Sequence, residues 1–443
     1  MRVNRFVGAV LGASLLLAAG VQAASADGPA SAATATRTLD RTALRATLDG
    51  IRDAGMYGTY SSVRGGGSAW TGASGVADVD TRRPVRPGMR HRVGSITKTF
   101  TAVAVLQQVE RGRIVLDAPV GDYLPGLVPG ERGRIVTVRM LLNHTSGIGD
   151  YVLGAFPSLA RNSTESIDEG RFRHLRPEKL VRLGLAAPAT GRPGAAWSYS
   201  NTNYAIAGLI LEKVTGQDAG TYLTRHVVAR AGLRHTTYPR TPYLSGPHSR
   251  MYESYFGVID PPRDYSVYDM SWGNTAGALV STTDDLNLFY RSLLGGELIG
   301  RAALTEMLRT VPGADGLDHG LGIDALDLPD CGRFWGHDGA VFGAGTIALS
   351  SRDGRHQVAL GWNMTKYQRV GDDGTFEPSP IDDALYGHLT QALCPTTAEP
   401  PAEPGTGTAD ARRAFPDRPL GIDLSPAGRV APTRWARALT PAF

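Results

Sequence analysis

A helix-like run from Ser95 to Arg111, set after strand-like segments and opening on Ser95-Ile96-Thr97-Lys98, does most to limit what this chain can become. Val93 and Gly94 precede it like the end of a strand or a tight turn. Ile96, Phe100, Val103, Leu106 and Val109 recur at helical spacing, which predicts a helix with one buried face. A separation of three residues puts the Ser95 hydroxyl and the Lys98 amine on the same side of that helix. An amine so placed can take the proton of a nucleophilic hydroxyl. The helix N-terminus adds a positive end and unpaired N–H groups, which favour a developing oxyanion.

Taken alone, the pair says little. With 25 Ser and 4 Lys in the chain, a Ser-x-x-Lys arises by chance about one time in four. Yet 42 of the 46 basic residues are Arg, so a scarce Lys stands at this position. Arg keeps its proton in proteins, whereas a desolvated Lys can serve as a base. Partner residues elsewhere in the chain decide the case.

Around the central helix the pattern is strands first and last, with helices between. A helix is expected over Leu39 to Ala54, starting near Asp40, then strands at Tyr57–Val63 and Ala69–Ala77 joined through Gly65-Gly66-Gly67. From residue 116 to about 274 the texture becomes helices joined by Pro/Gly loops, including Val138–Asn143 and Tyr204–Val214. A helix at Thr283–Leu294, strands at Gly343–Ser350 and Gln357–Trp362, and a helix at Ile381–Leu393 complete the pattern. This arrangement predicts an α+β sandwich whose helical insertion, 116–274, forms a second lobe.

The flanks read differently. Arg2 and Arg5, an apolar core from Phe6 to Ala19, and Ala24-Ser25-Ala26 read as an export signal over 1–26, cleaved after Ala26, with Ala23 as the alternative. Residues 27–38 are a loose Ala/Thr/Ser-rich leader, and 395–443 a disordered Pro/Ala/Gly-rich tail. The folded domain is therefore expected at 39–394, in a secreted, extracellular protein with no membrane span. Net charge is +4, but the arginines are interleaved with acids, so no nucleic-acid patch is expected. In an exported chain the two cysteines, Cys331 and Cys394, read as a disulfide, with two buried thiols as the alternative. No cofactor or metal is expected, and the chain reads as a monomer.

Two further segments strengthen the Ser-x-x-Lys pair. Tyr199-Ser200-Asn201 precedes a helix; a phenol beside an ammonium can move protons, and an amide can orient a substrate amide. Gly336-His337-Asp338-Gly339-Ala340 enters the late strand pair, its glycines allowing close approach of a substrate backbone. The three segments resemble the three active-site motifs of the penicillin-binding protein and serine β-lactamase superfamily. The second motif is as in class C β-lactamases and related DD-peptidases. The third, His337-Asp338-Gly339, falls where secreted actinobacterial D-alanyl-D-alanine carboxypeptidases carry His-Thr-Gly. Leu141 to Gly147, Asn201 to Tyr204 and Ser271-Trp272-Gly273-Asn274 look like the same family, as does the cysteine placement, and the resemblance covers about residues 40–394.

That resemblance implies a β-lactamase-like α/β sandwich, a mainly antiparallel sheet flanked by helices. It implies Ser95 as the acylated nucleophile, with Lys98 and Tyr199 moving its proton and either of them the base. His337 supports the proton network. Asn201 and Trp272 bind substrate along with Asp338, Gly339 and Ala340, and the N–H groups of Ser95 and Ala340 form the oxyanion hole. The expected substrate is a small peptide, ester or β-lactam, with peptidoglycan as one source.

The departures bear on specificity. Counting back from His337, Asp324 takes the place of an Arg that holds a substrate carboxylate, and Asp338 and Ala340 replace hydroxyls. Two acids near a carboxylate site repel it, unless Asp338 pairs with a neighbour such as Arg333. The expectation is a D-alanyl-D-alanine carboxypeptidase-like serine hydrolase with slow turnover of free acids. An esterase or a D-amino-acid amidase or β-lactamase on the same fold is the alternative. A penicillin sensor would have no use for Lys98 and Tyr199 beside Ser95. No Gly-x-Ser-x-Gly supports an α/β-hydrolase, and no His-Glu-x-x-His a zinc hydrolase.

Overall fold

One large antiparallel sheet, its central strands buried on both faces, carries the fold. Its strands, in chain order, are β1 Gly58–Gly65, β2 Ser68–Asp78, β3 Arg83–Pro84, β4 Val311–Pro312, β5 Asp318–His319, β6 Asp324–Leu328, β7 Gly332–Val341, β8 Ala344–Ser351 and β9 Gln357–Trp362. The spatial order is β3-β2-β1-β9-β8-β7-β6-β5-β4. Every pairing is antiparallel, and β1 meets β9 with Thr59 opposite Trp362 and Val63 opposite Val358. The computed structural model describes residues 39–313, 316–328, 331–371 and 376–394. The expected signal, leader and tail lie outside these residues.

The helices that matter here are α1 Arg41–Asp53, α2 Ile96–Glu110, α3 Val138–Leu142, α4 Asn201–Thr215, α5 Thr283–Leu294 and α6 Pro380–Leu393. On one face of the sheet, Leu326, Phe334, Ile347, Leu349, Val358 and Leu360 pack with Leu44, Leu48 and Ile51 of α1 and Leu385 and Leu389 of α6. The alternate residues Ala325, Trp335, Ala348 and Ala359 join a second core with Val93, Phe100 of α2 and Phe289 of α5. Alanine at three of these four positions lets the helices approach closely. Asp40 caps α1 by accepting from the Ala43 N–H, as its position before the apolar pattern suggests. The mainly helical residues 116–274 belong to the same compact unit as the sheet.

Two expectations are corrected. The α2 helix buries its whole circumference from Ile96 to Gln108, not one face. Its threonines are accommodated by specific bonds: Thr97 Oγ1 accepts from Leu279 N, and Thr101 Oγ1 donates to Thr275 O. The third motif does not lead into a strand; it lies inside β7. Gly and Asp have low strand propensity, so the sheet context rather than the local sequence makes this segment extended. No helix among the described residues is long and apolar enough to cross a membrane.

Candidate active site

Ser95 stands at the N-cap of α2 but does not cap it; its side chain makes no bond to the first-turn N–H groups. Its Oγ instead accepts from Lys98 Nζ at 2.7 Å and from Tyr199 OH at 2.6 Å. Lys98 is fully buried and also donates to Asn201 Oδ1 and to Ala276 O, each at 2.8 Å. Its Nζ lies 4.7 Å from the centre of the Tyr199 ring. Two elements distant in sequence, the start of α2 and the start of α4, thus meet on one hydroxyl.

Asn201 is held in place from behind. Asp150 Oδ2 accepts from Asn201 N at 2.6 Å and from Asn201 Nδ2 at 3.0 Å, so the amide presents its oxygen to Lys98. Sequence reasoning missed Asp150, although it lies only three residues past the noted segment Leu141 to Gly147. His144, within that segment, accepts at Nδ1 from Ser200 N at 3.2 Å and packs against the Tyr199 ring. Burial, then the charges of His319, Lys98 and His337, hold its imidazole well below the ordinary value, so it is neutral with its proton on Nε2.

The opposite wall is β7. An added Cβ on Gly339 would lie 2.1 Å from Val93 O and 2.7 Å from Ser95 N, and one on Gly94 would lie 2.6 Å from Ala340 N. Glycine at both positions therefore lets the backbone of β7 touch the start of α2. Gly94 also has a positive φ, +51°, which favours glycine in its own right. This contact brings the Ser95 and Ala340 backbones together, as an oxyanion hole requires.

His337 is buried and donates through Nδ1 to Asp338 O at 2.5 Å. The same nitrogen is 3.8 Å from Asp324 Oδ2 and 3.6 Å from Asp338 Oδ1. His319, for which the sequence offered no signal, contacts Asp324 Oδ1 at 2.5 Å. Arg333, the alternative partner for Asp338, is bonded instead to Asp318 at 2.5 Å and Asp327 at 3.1 Å. Strand register explains this: Arg333 lies opposite Asp327, five residues along β7 from Asp338. Ligand atoms of Asp324, His337 and Asp338 lie within 4.8 Å of one another, close enough to share an ion. With Nδ1 of His337 committed as a donor, however, the set is a poor metal cage.

Trp272 packs against Phe156 and Phe342 and lines a shallow crevice with Arg171, Leu175 and Tyr268. Cys331 and Cys394 form a disulfide with a Cα–Cα distance of 5.5 Å.

Relationships to known proteins agree with this geometry. Residues 43–375 match the Beta-lactamase family, and the chain belongs to it. A D-stereospecific amidohydrolase from Streptomyces sp. superposes with a TM-score of 0.70 at 34% identity, covering 81% of this chain and 100% of that one. Penicillin-binding protein 4 of Amycolatopsis lactamdurans is 29% identical over 368 residues, 75% of this chain and 85% of its own. Esterase EstB of Burkholderia gladioli is 33% identical over 208 residues, 44% of this chain; the match spans about half, 52%, of the esterase. The family's fold and hydrolase character fit the β-lactamase-like α+β architecture described above.

Proposed function

We propose that the protein is an exported serine hydrolase that cleaves an amide through an acyl-enzyme on Ser95, with a D-alanyl-type residue as the acyl group. The observation that carries this reading is Ser95 Oγ held between Lys98 Nζ and Tyr199 OH. Ser95 Oγ bonds to the substrate carbonyl carbon as its proton passes into the Lys98–Tyr199 pair. The oxyanion rests on the Ser95 and Ala340 N–H groups. The C–N bond then breaks, and the proton reaches the leaving nitrogen through Tyr199. Water repeats the sequence in reverse roles, giving the free acid and restoring Ser95.

The amide choice is supported by the similarity to the D-stereospecific amidohydrolase. A D-alanyl-D-alanine carboxypeptidase would have to seat a terminal carboxylate beside Asp324 and Asp338, both largely buried. Each such pair of like charges costs about 1 kcal/mol at 4 Å even in bulk water, and more when desolvated. The Cys331–Cys394 disulfide supports an oxidising, extracytoplasmic compartment.

The test is covalent labelling with a fluorophosphonate, followed by peptide mapping. Label on Ser95, lost in Ser95→Ala, is expected; label elsewhere rejects the reading. Lys98→Arg keeps the charge but cannot cycle through a neutral form, so acylation should fall at least about 100-fold. Hydrolysis of D-alanyl amides over L-alanyl amides then tests the acyl group, with an ester and a chromogenic cephalosporin as comparison substrates.

A further inference from the structure

Residues 144–150 are moulded onto the start of α4. His144 O accepts from Ser198 N at 2.8 Å, and Gly149 O accepts from Ser200 Oγ at 3.1 Å and Thr202 Oγ1 at 2.7 Å. Ser146 Oγ donates to Asn203 Oδ1 at 2.7 Å. Asp150, which ends this segment, is therefore fixed in place behind Asn201, and both are buried. One of its oxygens accepts from Val152 N at 2.8 Å; the other takes both Asn201 N and Asn201 Nδ2. Bracing the backbone needs only the bond to Asn201 N, which a serine or asparagine could supply. The bond to Nδ2 also fixes the amide. A carboxylate only accepts, so the amide cannot turn over and its oxygen faces Lys98 Nζ. The flipped amide would set its NH2 against an ammonium. The same carboxylate puts a negative charge one amide side chain away from that amine, in a buried region that salt screens little.

We propose that Asp150 is a positioning residue for the reaction at Ser95: it sets the acceptor that Lys98 finds at Asn201, and it supplies a fixed countercharge to the Lys98–Tyr199 pair. This rests on the serine-hydrolase reading above and deepens it. A negative charge disfavours proton loss from an ammonium and from a phenol alike, so it acts in one direction whichever of the two is the base. Other titratable groups surround the pair. The Tyr204 ring centre is 5.6 Å from Lys98 Nζ, and neutral His144 lies against the Tyr199 ring. Beyond them, β5 to β7 carry His319, Asp324, His337 and Asp338. All of these stay in place when Asp150 alone is changed, so its effect is read by difference.

The experiment follows the rate of Ser95 labelling by a small alkyl fluorophosphonate against pH, in wild type, Asp150→Asn and Asn201→Ala, with a thermal melt of each. This probe has no amide to bind, so an effect at Asn201 reports on Lys98 and not on substrate recognition. Asp150→Asn should lower the plateau rate by about 10- to 100-fold, the range of a hydrogen bond to a charged group. The limbs of its pH profile should also move to lower pH by about one unit, because removing the charge eases proton loss from either group. Asn201→Ala takes the same acceptor from Lys98 and should lower the plateau by about 10- to 100-fold as well. A folded Asp150→Asn protein whose limbs stay at their wild-type pH overturns the proposal whatever its plateau rate, since a purely structural brace changes the rate without moving a titration. Wild-type labelling rates in Asn201→Ala overturn it too, and this arm holds even where Asp150→Asn does not fold. Failure of wild-type Ser95 to take the probe would reject the hydrolase reading itself, a result distinct from labelled enzyme with unmoved limbs.

Discussion

Gly339→Ala is the sharpest probe of how this site is held. The new Cβ would stand 2.1 Å from Val93 O and 2.7 Å from Ser95 N, both backbone atoms with no rotamer to yield. Relief to an ordinary carbon–oxygen contact of about 3.3 Å requires β7 and the start of α2 to separate by about 1 Å. That separation moves the Ala340 N–H away from the Ser95 N–H, the pair proposed to bind the oxyanion. Misplacement of this size costs about 100-fold in rate, and full loss of one oxyanion donor about 100- to 1,000-fold. Overpacking itself costs about 1–3 kcal/mol of stability, which for a domain of this size lowers Tm by about 1–4 °C. Hydrolysis of p-nitrophenyl acetate with parallel thermal melts separates the two effects. The expected outcome is a fall in kcat/KM of at least about 100-fold in a protein that remains folded. Gly387→Ala in α6 is the control: its Cβ would meet nothing within 4 Å, so the rate should hold. Removing a helical glycine there should raise stability by about 0.5–1 kcal/mol. A folded Gly339→Ala protein with a rate within tenfold of wild type would refute the backbone oxyanion hole.

Two further outcomes concern the scaffold. The disulfide closes a separation of 63 residues, worth about 4 kcal/mol in the chain-entropy model, so reduction should lower Tm by about 5 °C; an unchanged Tm would reject that contribution. Burial lowers the imidazoles of His91 and His388 from 6.5 to about 3. Below pH 6.5 the unfolded chain takes up a proton at each while the folded chain does not, so stability falls with acid down to about pH 3. Between pH 7 and 5.5 each histidine should cost about 1.3 kcal/mol. His388 sits between Thr47 Oγ1 and Ser61 Oγ, and His388→Gln should remove its share of that loss in urea titrations at the two pH values. An identical pH dependence in the variant would refute the assignment.

The sequence disclosed the parts of this site that depend on local chemistry. Ser95 and Lys98 are three apart on one helix, Tyr199 and Asn201 two apart at the start of another, and each spacing can be read without a fold. The main helices are legible for the same reason: Thr283–Leu294 can be read at both ends, because its apolar period and its capping Thr282 are local. What stayed hidden is non-local. Nothing near Asp150 says that it will brace Asn201, since the two meet only when the segment after α3 folds back on α4. His319 has no motif of its own, and its contact with Asp324 exists because β5 and β6 are adjacent strands. The helix α2 looks one-sided in sequence because its buried threonines are polar, and only their distant partners reveal that they are internal.

The third motif shows why catalysis and recognition can change independently here. In the proposed mechanism its catalytic contribution is made by backbone: Gly339 permits the contact with Ser95, and Ala340 offers an N–H that any non-proline residue there would also supply. An alanine in place of a hydroxyl residue at 340 therefore leaves the oxyanion donor in place. Recognition, in the same proposal, falls to side chains on that strand and its neighbour, and these can vary without moving the backbone. Asp338 and Asp324 reverse the charge expected of a carboxylate pocket while Ser95, Lys98 and Tyr199 keep their mutual bonds. On that proposal, the strand that shapes the oxyanion site leaves the choice of substrate to a few side chains. Acids at two of those positions point that choice away from free acids.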